Sequence, residues 1–218
     1  MKKIVDIYMP LDAREAPNKA VWPVAAEQLK ELVRVIEDCG WQAHVLNPDK
    51  FVSSVAEGLR VIKRAKGERF INFISGWSYP DFSVSPMWQL EKAVPKLMIG
   101  SSIPDFPGAV GLLAALSGTE HVGIRTSRLF VEKFADHDIY RGAIESFLRD
   151  GKYEEALPKL VEIKPDAAAR EKAKSVKARL NGSIYGAVGP RSMEMWNKIP
   201  EADFLRVFGI AREGFDGL

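Results

Sequence analysis

Trp77, Tyr79 and Asp81 stand at alternate positions in the stretch FINFISGWSYPDFSVSPMW, residues 70–88, and these side chains could hold a ligand. An indole or phenol presents a flat apolar face that suits the C–H face of a sugar or another ring. Asp81 adds a carboxylate beside the two aromatics. A hydrophobic plug over a sheet edge would use the same aromatics, because such side chains are often simply packed. Asp81 and Asp105 could also act together, as an acid–base pair or as ligands of a divalent cation. Asp105 is equally placed to cap the helix that Pro107 begins. Asp12, Arg14 and Glu15 lie in a further polar loop, residues 10–19, which reads either as a second ligand loop or as solvated surface.

Several chemistries find no support. The chain has no phosphate-binding P-loop and no Gly-x-Ser-x-Gly elbow. Gly108, Gly111 and Gly118 lack the spacing of a dinucleotide fingerprint and do not follow the first strand. His44, His121 and His137 are scattered without metal-ligand spacing, and no Ser/His/Asp triad stands out.

The elements that position these residues follow from periodicity. Phe70, Ile71, Phe73 and Ile74 form an apolar run too short for a helix, a strand buried on both faces. Gly76 breaks it, and Ser85-Pro86 reads as a helix start. Residues 3–9 predict the first strand, 41–46 the second and 96–99 the fourth. The fifth is either 121–125 or 128–134. Trp22, Ala25, Ala26, Leu29, Leu32, Val33 and Ile36 form one helical stripe, ending at Gly40, with Cys39 as a small core residue beside it. Further helices are predicted over 51–66, 86–93, from Pro107 and over 138–149, with a short one over 153–161. This alternation predicts an α/β fold, a flavodoxin- or Rossmann-like parallel sheet of about five strands with helices on both faces. Ligands of such sheets sit beyond the carboxyl ends of the strands, where Trp77, Tyr79 and Asp81 fall.

Residues 164–180 are the most polar segment, with six basic residues against Asp166 and Glu171, and read as an exposed or bridging helix. From residue 182 the texture changes to a short apolar strand, glycines and a helix start, the opening of a second βα unit. Residues 201–208 predict one more helix, and no strand is expected after Ile210. The domains expected are thus 1–181 and a C-terminal extension, 182–218, that begins a second domain.

Composition bounds the function. With 218 residues and 46% hydrophobic, the chain can bury a core. Its net charge of +2 gives no case for a nucleic-acid or an acidic partner, and no apolar run reaches membrane-spanning length. The start MKKIVDIYMP leads directly into a strand pattern with no cleavable apolar segment. One cysteine precludes an intramolecular disulfide framework and fits the cytoplasm.

FPGAVGLLAALSG, the GWSYPDF–SPMW stretch and above all YGAVGPRSMEMW followed by FGI resemble the L-fucose/L-arabinose isomerase-like family. Arg191, Ser192, Met193 and Met195 match that family's Arg-Ser-Met-Gly-Met run, with Glu194 and Pro190 in place of glycines. Its Ile-Arg-Pro motif after the first strand is replaced by IYMP. The resemblance runs from about the central strand to Ile210. It implies cytoplasmic, oligomeric ketol isomerases that interconvert aldoses and ketoses through an enediol, with bound manganese and acidic residues. The metal ligands and catalytic carboxylates would come from second and third domains, so this chain would supply neither. Its first domain would cover the sugar in a neighbouring subunit's site. Trp77 would line that sugar pocket, and Arg191, Ser192 and Met193 would flank it from the domain junction. The apolar helix over 107–116 would offer a surface to a second copy. A stand-alone module that holds a small polyol without catalysis, and an independent enzyme using Asp81 and Asp105, are the other readings.

Overall fold

The computed structural model describes residues 3–103, 106–154, 164, 166–188 and 201–215. The described residues up to 154 form one compact unit, and those from 164 onward form another. No described helix is long and apolar enough to cross a membrane.

The first unit is built on strands β1 (Ile4–Tyr8), β2 (Gln42–Val45), β3 (Arg69–Ile74), β4 (Lys96–Ile103), β5 (Phe106–Pro107) and β6 (Ser127–Val131). Five of these run parallel in the order β2-β1-β3-β4-β6, the flavodoxin-like order, and β5 is a short antiparallel addition to the end of β4. Helices α1 (Glu15–Asp38) and α5 (Arg141–Asp150) cover one face, and α2 (Val55–Val61), α3 (Pro80–Trp88) and α4 (Gly108–His121) cover the other. Alternation along β3 explains the layers. Ile71 and Phe73 enter the core with Leu29, Leu32 and Phe147, while Phe70 and Ile74 enter the second core with Leu112 and Leu116. A strand buried on both faces must be apolar at nearly every position, as this one is.

Three helix boundaries differ from expectation. Helix α1 begins at Glu15, not near Trp22, so the loop after β1 is shorter than its sequence implies. Pro17 is tolerated because the first turn needs no intrahelical donor, and Lys19 and Glu15 pair at 2.7 Å across one turn. Helix α2 begins only at Val55, because Val52 pairs instead with the chain beyond β1. The Val52 N–H donates to the Met9 carbonyl at 2.9 Å, and the Leu11 N–H donates to the Val52 carbonyl at 3.1 Å. Ser54 caps α2 by accepting from the Glu57 N–H, and the Glu57 carboxylate accepts from the Ser53 N–H, a reciprocal cap.

Helix α3 carries the third correction. It starts at Pro80 with Tyr79 as N-cap, so Pro86 lies inside the helix rather than at its first position. A proline there has no N–H to give the carbonyl four residues earlier, that of Phe82. The Tyr8 hydroxyl takes the place of that donor, bonding the Phe82 carbonyl at 2.6 Å from a fully buried position at the end of β1. Gly58 of α2 makes room for this, since a Cβ there would lie 2.6 Å from both the Pro86 Cγ and the Tyr8 hydroxyl.

Helix α5 ends at Gly151, whose φ of 74° is the left-handed geometry that a glycine accommodates best. His44, on β2, sits opposite Asp6 in the ladder and places Nδ1 2.6 Å from its buried carboxylate. Asp6 also accepts from the Lys66 and Gly67 N–H groups, which makes the histidine a packed structural residue. Among residues 153–161 only 153 and 154 are described, so the short helix expected there lies outside the described residues.

The second unit contains α6 (Ala167–Leu180), β7 (Ile184–Val188), α7 (Glu201–Phe208) and β8 (Ala211–Phe215). Helix α6 is capped by Asp166 and buries none of its residues, as its polar sequence predicts. Strand β8 pairs parallel with β7, which corrects the expectation that no strand follows Ile210. Its sequence AREGF has no apolar run, so nothing in periodicity announces it.

Replacing Tyr8 by Phe should leave the Phe82 carbonyl buried and unsatisfied and cost about 1–3 kcal/mol in urea unfolding. In a Pro86→Ala background a new N–H can serve that carbonyl, so the same replacement should cost less; equal costs in both backgrounds would contradict the assigned pairing.

Candidate functional site

The carboxyl ends of β1 and β3 are adjacent, and their loops meet. Beyond β1 the chain is clipped by Asn47, which accepts from the Met9 N–H at 3.0 Å and donates to the Met9 carbonyl at 2.9 Å. Two residues later, the Leu11 carbonyl accepts from the Tyr79 N–H at 3.2 Å. The two loops therefore share one backbone frame.

Asp12 and Arg14 form the polar part of that frame. The Arg14 guanidinium donates to the Asp12 carboxylate through Nε at 2.9 Å and Nη2 at 2.7 Å, a two-pronged pair. The Arg14 N–H donates to the same carboxylate, and Asn18 holds both the Asp12 N–H and its carbonyl. Burial by itself would raise the Asp12 carboxyl's pKa, but the hydrogen bonds from Arg14 outweigh it and hold the group below the usual range. Asp12 is buried while the Arg14 side chain is 66% exposed, so a fixed cation projects at this edge. Tyr79 lies within electrostatic reach of it. The loop is thus structured by a buried carboxylate rather than freely solvated.

Trp77 and Tyr79 are half-buried in the segment after β3. The Tyr79 ring stacks on Phe82 at 5.2 Å and 15°. The Trp77 Nε1 is buried with no hydrogen-bond partner among the described residues. Asp81 is not in a loop, as the sequence implies, but in the first turn of α3, 3% exposed. Its charge suits a helix N-terminus and, after burial and Glu57, contributes to raising the Tyr8 phenol. The structure therefore places Trp77 and Tyr79, half-buried, in the segment beyond the carboxyl end of β3, and buries Asp81 in the first turn of α3.

Helix α4 approaches this segment closely. A Cβ on Gly111 would collide with the Gly76 carbonyl and lie 3.0 Å from the Ser78 nitrogen. Gly111 serves this packing, Gly108 allows a close approach to Ser101 of β4, and Leu112, Ala115 and Leu116 seat the helix in the second core. Val110 and Leu113 remain exposed on its outer side. Asp105, Arg191, Ser192 and Met193 lie outside the described residues.

Next to the β1 loop is a cleft of about 490 Å³ that residue types alone do not reveal. Trp22 and Phe51 form an edge-to-face pair on its wall, with centroids 5.0 Å apart, and Lys19, Asp49 and Lys50 rim it. In sequence Trp22 is simply one member of the α1 stripe; only the parallel placement of β1 and β2 brings it beside Phe51. Among the described residues, no three His, Cys, Asp or Glu side chains come together as a metal site. The described residues therefore do not fit the manganese that the resemblance implies, and none of the contacts at this edge depends on it.

The lowered folded-state pKa of Asp12 fixes a sign. Its contribution to stability is present above the unfolded carboxylate value of about 3.9 and is lost as the pH falls through the lower folded value. Asp12→Asn should cost about 1–3 kcal/mol at neutral pH and reduce the acid sensitivity of the unfolding midpoint; an unchanged acid profile would contradict the role assigned to this pair.

Comparison with known proteins adds the lineage. No curated protein matches the chain. Residues 2–149 match the family model of the L-fucose isomerase first N-terminal domain. The match spans the GWSYPDF–SPMW and PGAVGLLAALSG motifs, while the YGAVGPRSMEMW motif lies beyond it. With the five-stranded flavodoxin-like sheet and the two joined loops at its carboxyl edge, this match shows that the chain belongs to the family of the L-fucose isomerase first N-terminal domain.

Proposed function

We propose that this chain is the substrate-covering part of an aldose–ketose isomerase, presenting the carboxyl edge of its first unit to a sugar. The family match carries the reading, because it covers the segment in which Trp77 and Tyr79 lie. The Trp77 Nε1 supports it further. An indole N–H only donates, and a buried donor without an acceptor among the described residues suits a sugar hydroxyl. Tyr79 and the indole face would pack against sugar C–H groups, and Arg14 would donate to a hydroxyl at the rim.

Asp81 would act beneath these groups, holding the start of α3 in place. Arg191, Ser192 and Met193 would flank the sugar from the other side. Manganese and the catalytic carboxylates would be supplied from outside the described residues, and cover of a neighbour's site requires a homo-oligomer. The setting would be cytoplasmic.

Titration of the full chain with L-fucose and with its reduced form L-fucitol, followed by calorimetry, tests this reading. Trp77→Ala should weaken sugar binding by about tenfold or more, roughly 1.4 kcal/mol. Binding unaffected by Trp77→Ala would place the sugar elsewhere. Binding of the polyol that persists without any oligomer would favour a stand-alone polyol-binding module.

A further inference from the structure

At the opposite, amino edge of the sheet, the end of α3, the first residue of β4 and the segment joining α4 to β6 enclose a second cleft of about 250 Å³. Lys96 forms part of its lining and is only 5% exposed. Its ammonium donates to the Glu91 carbonyl at 3.0 Å and to the Val94 carbonyl at 2.7 Å. Those bonds use two of its three N–H groups. Burial lowers its pKa, and no carboxylate contributes to opposing the shift.

A structural lysine that closes the turn after α3 accounts for the two carbonyls. It does not account for a buried positive charge with no counterion among the described residues, because a buried charge is normally paired. Nor does it account for the rest of the cleft. Lys92 and Arg125 stand exposed at the rim, and neither pairs with a described residue. No acidic side chain lines the cleft. Its walls are apolar, formed by Leu90, Ile124 and Trp88, and the last is a tryptophan left 54% exposed.

We propose that this cleft binds a small organic anion, a carboxylate or phosphate group carried on an apolar ring, with the charge at Lys96, Lys92 and Arg125 and the ring against Trp88. Three cations with no acidic side chain in the cleft lining provide the electrostatic attraction, the indole and the aliphatic side chains take the apolar part, and the remaining Lys96 N–H is available to an oxygen. The site is separate from the sugar edge, since it lies at the amino end of β4 whereas Trp77 follows the carboxyl end of β3.

The test is a nuclear magnetic resonance titration of the full chain, observing the Trp88 indole N–H, with benzoate, phenyl phosphate and benzyl alcohol at constant ionic strength. A saturable shift with either anion and none with benzyl alcohol is expected, and the stronger of the two anions identifies the head group. The exposed pair Lys92→Gln and Arg125→Gln, which should leave the fold intact, should weaken anion binding by about tenfold or more. Lys96→Met should abolish it, with far-ultraviolet circular dichroism confirming that the variant is folded. The proposal is overturned if neither anion gives a saturable shift, if benzyl alcohol binds as well as the anions, or if the double variant binds unchanged.

Discussion

The hydrogen bond from the Tyr79 N–H to the Leu11 carbonyl joins the loops that follow β1 and β3 at the carboxyl edge of the sheet. It works only because the chain leaving β3 turns into α3 within five residues, with Pro80 fixing the first helical dihedral. That early start places Pro86 inside the helix and opens a carbonyl that Tyr8, at the end of β1, closes. Strand β1 is thus tied to α3 through its final tyrosine, and the loop that follows β1 is tied to the β3–α3 connection. The Asp12–Arg14 pair sits on the same loop, so its buried carboxylate is also part of the frame that holds Trp77 and Tyr79.

Strand order and buried faces were legible because they rest on local alternation and composition. The run FINFI could only be a central strand, and parallel pairing through helices followed from the alternation of elements. Helix boundaries were less legible because partners distant in sequence decided them. Ser85-Pro86 looks like a helix start until Tyr8 is known to satisfy the carbonyl that Pro86 leaves, and Phe51-Val52 looks helical until the chain beyond β1 is seen to pair with it. At the site, the positions of Trp77 and Tyr79 followed from topology. The burial of Asp81 and the cleft beside Trp22 depend on packing between elements, which no window of sequence contains. Strand β8 was missed for a different reason, since AREGF carries almost no strand signal of its own.

The first unit has two unlike edges. At the carboxyl edge, three cations are paired with carboxylates: Arg14 with Asp12, Lys19 with Glu15, and Lys50 with Glu57. The same edge carries the half-buried Trp77 and Tyr79, with the indole N–H buried and without a partner among the described residues. At the amino edge, in the cleft around Lys96, the lining carries positive charge and, among the described residues, no acidic side chain.

Hydrogen–deuterium exchange of the full chain with and without L-fucose tests the central claim most directly, because it reports which edge a sugar touches. The account predicts slower exchange in residues 75–82 and 10–15 together, since the Tyr79–Leu11 bond couples those loops. Protection confined to other parts of the chain, or in one of these loops without the other, would contradict it.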